Sequence, residues 1–74
     1  MISQMEVGKR LRMLRGDRTL QKVSDDTGLG VSALTMYELG KRMPRDEAKI
    51  ALANYYDVTI DDLFFANDFR SNRS

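Results

Sequence analysis

Two short helical segments joined by a glycine turn constrain the fold of this chain more than any other feature. The first segment spans residues 19–27, the turn is 28–30, and the second segment spans about 31–39. Apolar residues recur through all three at a spacing that lets them contact one core. They are Leu20, Val23, Leu29, Leu34 and Tyr37. The pattern predicts two consecutive helices, linked by a tight turn, that pack on a common core.

The outward side of the second segment is expected to be exposed. Helix periodicity places four residues there: Val31, Ser32, Thr35 and Met36. Three cations follow directly in the sequence: Lys41, Arg42 and Arg45. A helix presented in this way suits a DNA major groove, because its side chains can meet base edges while the cations hold phosphates. The four outward residues are predicted base contacts, and the three cations are predicted backbone contacts.

The base-reading chemistry of this segment is unusual. It contains no Arg, Lys, Asn or Gln from Val31 to Leu39, so the strongest bidentate contacts to bases are absent. Val31 and Met36 can meet thymine methyl groups, and Ser32 and Thr35 can exchange hydrogen bonds. We therefore expect modest discrimination at each base pair, with DNA shape contributing.

The rest of the sequence predicts three more helices and no strand. Ser3 followed by Glu6 is a capping-box pattern that opens a helix over residues 4–15. Pro44 prevents a helix from crossing the loop before it, and a fourth helix opens after it. Thr59 caps a fifth, short helix. The sequence thus predicts an all-α, compact five-helix domain over residues 1–69 and a polar tail over 70–74.

Composition excludes several classes of site. The 74 residues include no cysteine and no histidine, so we expect no disulfide, no metal and no cofactor. No serine or threonine has a histidine to activate it, and catalysis is not expected. No apolar stretch approaches the roughly 20 residues of a membrane span. We expect a cytoplasmic protein without an evident small-molecule ligand. The net charge of +1 is weak support for a nucleic-acid partner.

Residues 28–44 and 58–64 resemble one known family. The segments G-L-G-V-S-A-L-T-M-Y-E-L-G-K-R-M-P and V-T-I-D-D-L-F look like the Cro/CI-type (Xre-like) helix-turn-helix family, whose members include lambdoid phage repressors. The resemblance implies a lambda repressor-like fold in which helices 2 and 3 form the helix-turn-helix. It also implies a repressor of phage or bacterial origin that binds two-fold symmetric double-stranded DNA as a homodimer.

The same resemblance assigns further residues. It implies a structural ion pair between Arg15 and Glu38, and the apolar neighbours of Glu38 agree, because an unpaired carboxylate there would be costly. The family often has glutamine at the second residue of helix 2, but this chain has Leu20 there. The phosphate contact is therefore lost or passes to Thr19 or Gln21.

Two alternatives remain at this point. Phe64, Phe65 and Phe69 exceed what a short fifth helix can easily bury, which suggests a dimer interface. Alternatively, Phe64 and Phe65 both cover the core. The chain could also be a protein-interaction module, antirepressor-like or antitoxin-like, that keeps the fold and acts through its C-terminal aromatics.

Overall fold

Five helices and no strand make up residues 2–65, the part of the chain that the computed structural model describes. They are α1 (Gln4–Arg15), α2 (Leu20–Thr27), α3 (Val31–Glu38), α4 (Asp46–Tyr56) and α5 (Asp61–Phe65). The last is a single wide turn of π type. The all-α, five-helix prediction is confirmed, and the predicted tail lies outside the described residues.

Hydroxyl caps fix where three of these helices begin. The Ser3 hydroxyl accepts a hydrogen bond from the Glu6 N–H at 3.1 Å, and the Thr19 hydroxyl accepts one from the Lys22 N–H at 3.0 Å. Thr59 caps α5 in the same way at 2.9 Å. Each cap satisfies an N–H group that has no partner within its own helix, so it sets the first residue of the helix.

Left-handed residues end two of the helices. Gly28 closes α2 with a φ of 81°, which a glycine adopts without steric cost. Asp57 closes α4 with φ 57° and ψ 47°, a left-handed conformation that glycine adopts most easily. An aspartate tolerates this conformation better than most residues, so the turn forms at some cost.

One apolar core joins all five helices. Of the residues predicted to share it, Val23, Leu34 and Tyr37 are buried, whereas Leu20 and Leu29 are partly buried against it. The buried cluster consists of Val7, Leu11, Val23, Leu34, Tyr37, Ala48, Leu52, Val58, Leu63 and Phe64. Both α2 and α3 therefore contact the core through one side. The other side of α3 is turned away from the core.

The aromatic residues at the end of the chain divide between the core and the surface. Phe64 is fully buried, so its assignment to an exposed dimer interface is wrong. It belongs to the core because α5 lies across the open end of the bundle. Phe65 is 45% exposed and stays a candidate for contact with a partner. Phe69 lies outside the described residues.

Arg10 is a charged residue in the interior of the domain. Only 2% of it is exposed. Its Nη1 donates to the Asp62 carbonyl oxygen at 2.7 Å, and its Nε donates to Glu6 Oε2 at 3.4 Å. A buried guanidinium requires such partners. Arg10 therefore ties α1 to α5 and adds nothing to a basic surface.

The crossing of α1 and α3 is too close for any side chain at Gly8. A Cβ atom there would lie 2.5 Å from the Glu38 carbonyl oxygen and 2.6 Å from that of Tyr37. Gly40 is equally restricted, because its φ is 75° and a Cβ would lie 2.8 Å from the Met5 Cα. The Gln4 side chain also donates to the Gly40 carbonyl at 3.3 Å. The C-terminal end of α3 thus rests directly on the backbone of α1.

We expect Gly8→Ala to lower the free energy of unfolding by about 1–3 kcal/mol, since α1 and α3 must separate to admit the methyl group. Gly30→Ala is the matched control, because a Cβ there meets nothing within 4 Å and its φ is −68°. The control should change stability by less than about 1 kcal/mol. Urea unfolding followed by circular dichroism measures both. Equal effects of the two substitutions would contradict the close crossing.

Candidate nucleic-acid interface

The outward face of α3 is open to solvent at its N-terminal end. Val31 is 36% exposed and Ser32 is exposed, whereas Thr35 and Met36 are half-buried. The Thr35 hydroxyl donates to the Val31 carbonyl oxygen at 2.8 Å, so its proton is already used within the helix. The four residues predicted to contact bases therefore share one helix face but differ in accessibility. Their contact with bases stays a prediction.

Leu39 is a surface residue that the sequence reasoning did not assign to base contact. It directly follows α3 and is 57% exposed. Helix periodicity places it one turn beyond Thr35 and two turns beyond Val31, on the same outward side. The signal was present in the sequence, because a leucine at this periodic position has no place on the core side of α3.

Arg12 is a second residue that the sequence reasoning missed. A groove runs between the end of α1, the start of α2 and the outer edge of α3. Its lining residues are Arg12, Arg15, Leu20, Thr35, Glu38 and Leu39. Arg12 is exposed and borders this groove on the α1 side. A cation therefore lies beside the outward face of α3, far in sequence from the predicted cations of residues 41–45.

Arg15 and Glu38 form the predicted ion pair across this groove. Arg15 Nε donates to Glu38 Oε2 at 2.8 Å, and Nη2 donates to Oε1 at 3.0 Å. The side chains are only 15% and 11% exposed. The bidentate hydrogen bond to Glu38 raises the pKa of Arg15. Because Glu38 is the last residue of α3, the pair fixes that end of the helix against the end of α1.

Several cations are engaged by other groups of the protein. Lys22 pairs with Asp26 at 3.3 Å, and the Arg18 guanidinium lies 5.5 Å and 5.6 Å from the ring centroids of Tyr55 and Tyr56. The basic side chains with such partners are Arg10, Arg15, Arg18, Lys22 and Lys49. Their charges are therefore partly balanced within the molecule.

Other cations remain open to solvent. Lys9, Arg12, Lys41, Arg42 and Arg45 are exposed. Within residues 2–65, their side chains form no ion pair with a carboxylate. Arg12 borders the groove beside α3. Lys41 and Arg42 directly follow Gly40, where the chain turns after the end of α3. Unbalanced positive charge thus lies next to both the outer edge and the C-terminal end of α3.

Two tyrosines at the end of α4, Tyr55 and Tyr56, form a cluster with Arg18. The Tyr55 hydroxyl donates to Asp26 Oδ2 at 2.6 Å, which lowers the pKa of Asp26 and raises that of Tyr55. Burial raises the pKa of Tyr56 to about 12, and the negative charge of Glu38 adds to the shift. These contacts join α4 to α2 and to the end of α1, so the cluster supports the fold.

The start of α2 offers backbone N–H groups and one hydroxyl. Thr19 caps the N–H of Lys22 and its carbonyl accepts from Val23, which leaves the first N–H groups of α2 without intrahelical partners. Gln21 is less available, because its amide donates to Asp25 Oδ1 at 2.9 Å. A phosphate contact by the Gln21 side chain would have to replace that bond. Both phosphate contacts stay predictions.

Other kinds of site find no support in the described part of the chain. Residues 2–65 contain no group of three acidic, histidine or cysteine side chains placed to hold a metal ion. None of the helices described there has the length and apolar character needed to cross a membrane.

A comparison with protein families agrees with the all-helical fold. A helix-turn-helix family model covers residues 9–63, which is most of the chain. The chain belongs to the Cro/CI-type helix-turn-helix family. In this family α2 and α3 are the helix-turn-helix, and its members are DNA-binding regulators. The comparison with curated proteins found no match.

We expect Arg15→Met to lower the free energy of unfolding by about 2–3 kcal/mol, because it leaves the Glu38 carboxylate largely buried and without its partner. The double variant Arg15→Met/Glu38→Met should recover part of this loss. Lys22→Met, which breaks the exposed pair with Asp26, is the control and should have a smaller effect. Additive effects of Arg15→Met and Glu38→Met in urea unfolding would show that the pair contributes nothing.

Proposed function

We propose that this protein is a sequence-specific transcriptional regulator that binds double-stranded DNA and acts as a repressor, with α3 in the major groove. As the resemblance implies, we take it to be a bacterial or phage-encoded protein of the cytoplasm. The observation that carries the proposal is the placement of charge. The cations beside α3 are exposed and unbalanced, whereas those near the tyrosine cluster have partners.

The proposed docking uses cations beside the C-terminal half of α3 together with the start of α2. Lys41 and Arg42 hold phosphates on one flank, with Arg45 beyond them, while the start of α2 and Arg12 hold phosphates on the other. These contacts set affinity and register but carry no sequence information. Val31, Ser32, Thr35 and Met36 face the bases between the two flanks. The close packing of α3 on α1 supports this proposal, because it holds the outward face of α3 in a fixed position relative to the flanking cations.

Salt dependence tests the phosphate contacts. If a dimer neutralises about six phosphates, the logarithm of affinity should fall with the logarithm of salt concentration with a slope of roughly −5. Arg42→Gln should weaken binding to all sequences alike and reduce the slope by about 2 per dimer, one for each protomer. Fluorescence anisotropy with labelled duplexes at several salt concentrations gives both quantities.

Lys22→Gln is the matched control, since it removes the same charge from a lysine paired with Asp26. It should leave the slope within error of the unsubstituted protein. An equal loss of slope in the two variants would mean that only net charge matters, and would contradict a phosphate contact by Arg42. No salt-dependent binding to any duplex would refute the proposed function itself.

We further propose that the protein binds DNA as a homodimer through an apolar surface on α4 and α5. Ile50 is 51% exposed and Phe65 is 45% exposed, and both border a shallow depression with Ile60. Asp46 and Lys49 border the same depression. In a two-fold interface the same surface meets itself, so Asp46 of one protomer can lie opposite Lys49 of its partner. The two α3 helices would then lie about 34 Å apart, one turn of DNA.

Ile50→Glu should convert the dimer to a monomer, because two-fold symmetry places both new carboxylates in the same apolar interface. Met13→Glu is the control, since Met13 is an exposed apolar residue of α1 outside this surface. Sedimentation equilibrium measures the association of the two variants and the unsubstituted chain. A dimer that persists in Ile50→Glu, or an unsubstituted chain that is monomeric at micromolar concentration, would contradict the proposal.

A second candidate function is a protein-interaction module on the same fold. It is favoured by one observation, the exposed apolar surface of Ile50 and Phe65, which would serve a different protein as well as a second copy. The two functions differ in their dependence on Arg42. Binding of a partner through α4 and α5 should be unaffected by Arg42→Gln, whereas DNA binding should be weakened.

A further inference from the structure

Apolar side chains are exposed at both ends of the outward face of α3. Val31 and Leu39 are exposed at its two ends, 36% and 57% respectively, and Thr35 lies between them at four-residue spacing. Residues at this spacing form one stripe along a helix. Side chains at this spacing can contact the same stretch of a major groove.

Hydrogen-bonding capacity on the same face is small. The Thr35 hydroxyl proton is bound to the Val31 carbonyl oxygen, so that hydroxyl can only accept a further bond. Ser32 is exposed and is the one remaining hydroxyl donor of α3 that faces outward within the described residues. Most base-edge donors and acceptors would therefore meet no polar side chain of α3.

The cations beside the stripe indicate what lies against it. Arg12 and Leu39 line the same groove, and Lys41 and Arg42 follow Leu39 after one intervening glycine. The outward face of α3 therefore has exposed positive charge beside its C-terminal end, which suits a major groove bordered by phosphates. The apolar feature of base edges in that groove is the 5-methyl group of a pyrimidine.

We propose that the chemical group recognised by α3 is the 5-methyl group of pyrimidines, contacted by Leu39 with Val31 and the Thr35 methyl. This inference rests on the proposed function and names what the same face reads. Thymine and 5-methylcytosine both carry the group, and α3 lacks the bidentate side chains that would separate them strongly. Arg12 acts as a positioning residue that holds the adjacent phosphate, so that Leu39 reaches the base edge.

Deoxyuridine substitution tests the proposal directly. A tight-binding duplex is first selected from random sequence, and each thymine is then replaced by uracil, which removes only the methyl group. Each contacted methyl should contribute about fourfold in affinity, so symmetric replacement in two half-sites should cost about sixteenfold. A second set of duplexes carries C·G at the sensitive positions, with or without the 5-methyl group on cytosine.

Two protein variants assign the contact. Leu39→Ala should bind more weakly and lose sensitivity to uracil at one position of each half-site. Ser32→Ala, on the same exposed face, should keep full sensitivity at every position. Leu39 lies outside the buried core, so both variants should unfold at the same urea concentration as the unsubstituted chain, which is checked by circular dichroism.

The outcomes separate the two levels of the argument. Recovery of affinity with 5-methylcytosine supports the methyl group as the recognised feature in either base, and sensitivity to uracil without that recovery supports thymine as its source. Sequence-selective binding that is unaffected by uracil at every position overturns methyl recognition and leaves the proposed function standing. Full uracil sensitivity in Leu39→Ala overturns the role of Leu39. Absence of binding to every duplex overturns the proposed function and this inference with it.

Discussion

The close crossing of α1 and α3 is the contact on which the presentation of α3 depends. It is possible only because Gly8 has no side chain, so the last carbonyls of α3 can lie against the backbone of α1. Gly40 lets the chain turn next to Met5 of α1 after α3 ends. The Arg15–Glu38 ion pair adds a further contact between the same end of α3 and α1. Packing of this kind has few alternative arrangements, because protein interiors are as dense as organic crystals. The orientation of α3 is therefore set by α1, and the helix can face outward without being covered by the rest of the domain.

The distribution of partners explains how a chain with a net charge of only +1 can have a basic surface. Near the tyrosine cluster, Lys22 and Arg18 are engaged by Asp26 and by aromatic rings, and Arg10 is buried against α5. These cations contribute to the fold and little to the external field. The exposed cations beside α3 have no carboxylate within ion-pair distance among the described residues, but Glu47 lines the same depression as Arg42 and Arg45 and weakens their field in addition to solvent and salt. Local pairing, and not net charge, decides where a phosphate would be attracted.

Much of this arrangement could be predicted from sequence, because helix caps and apolar periodicity are local signals. The first residue of α1, the turn at Gly28 and the placement of Leu34 and Tyr37 in the core follow from them, and Pro44 limits where α4 can begin. The Arg15–Glu38 pair required the family resemblance, since 23 positions separate the two residues. The role of Gly8 could not be predicted from sequence. A glycine inside a helix usually only destabilises it, and the need for glycine here becomes clear only when α3 is seen to lie against α1. The burial of Arg10 and Phe64 likewise depends on where α5 crosses the bundle, which no local pattern encodes. Arg12 was missed because its neighbours in the groove come from α2 and α3.

Two leucines share a position that affects how the proposed interface would read DNA. Leu20 and Leu39 line one groove with Arg12, beside the face that we propose contacts DNA. The resemblance implies a glutamine at the position of Leu20, so the leucine there removes hydrogen-bonding capacity and adds apolar surface. A polar reader gains discrimination because a wrong base leaves its donors and acceptors unpaired, whereas an apolar reader gains only the transfer free energy of the groups it covers. A smaller gain at each base pair must be offset by more half-sites or by DNA shape. Under the function that we propose, the leucines of this groove and the exposed apolar surface on α4 and α5 are therefore connected, because weak discrimination by one protomer makes pairing of two protomers more valuable.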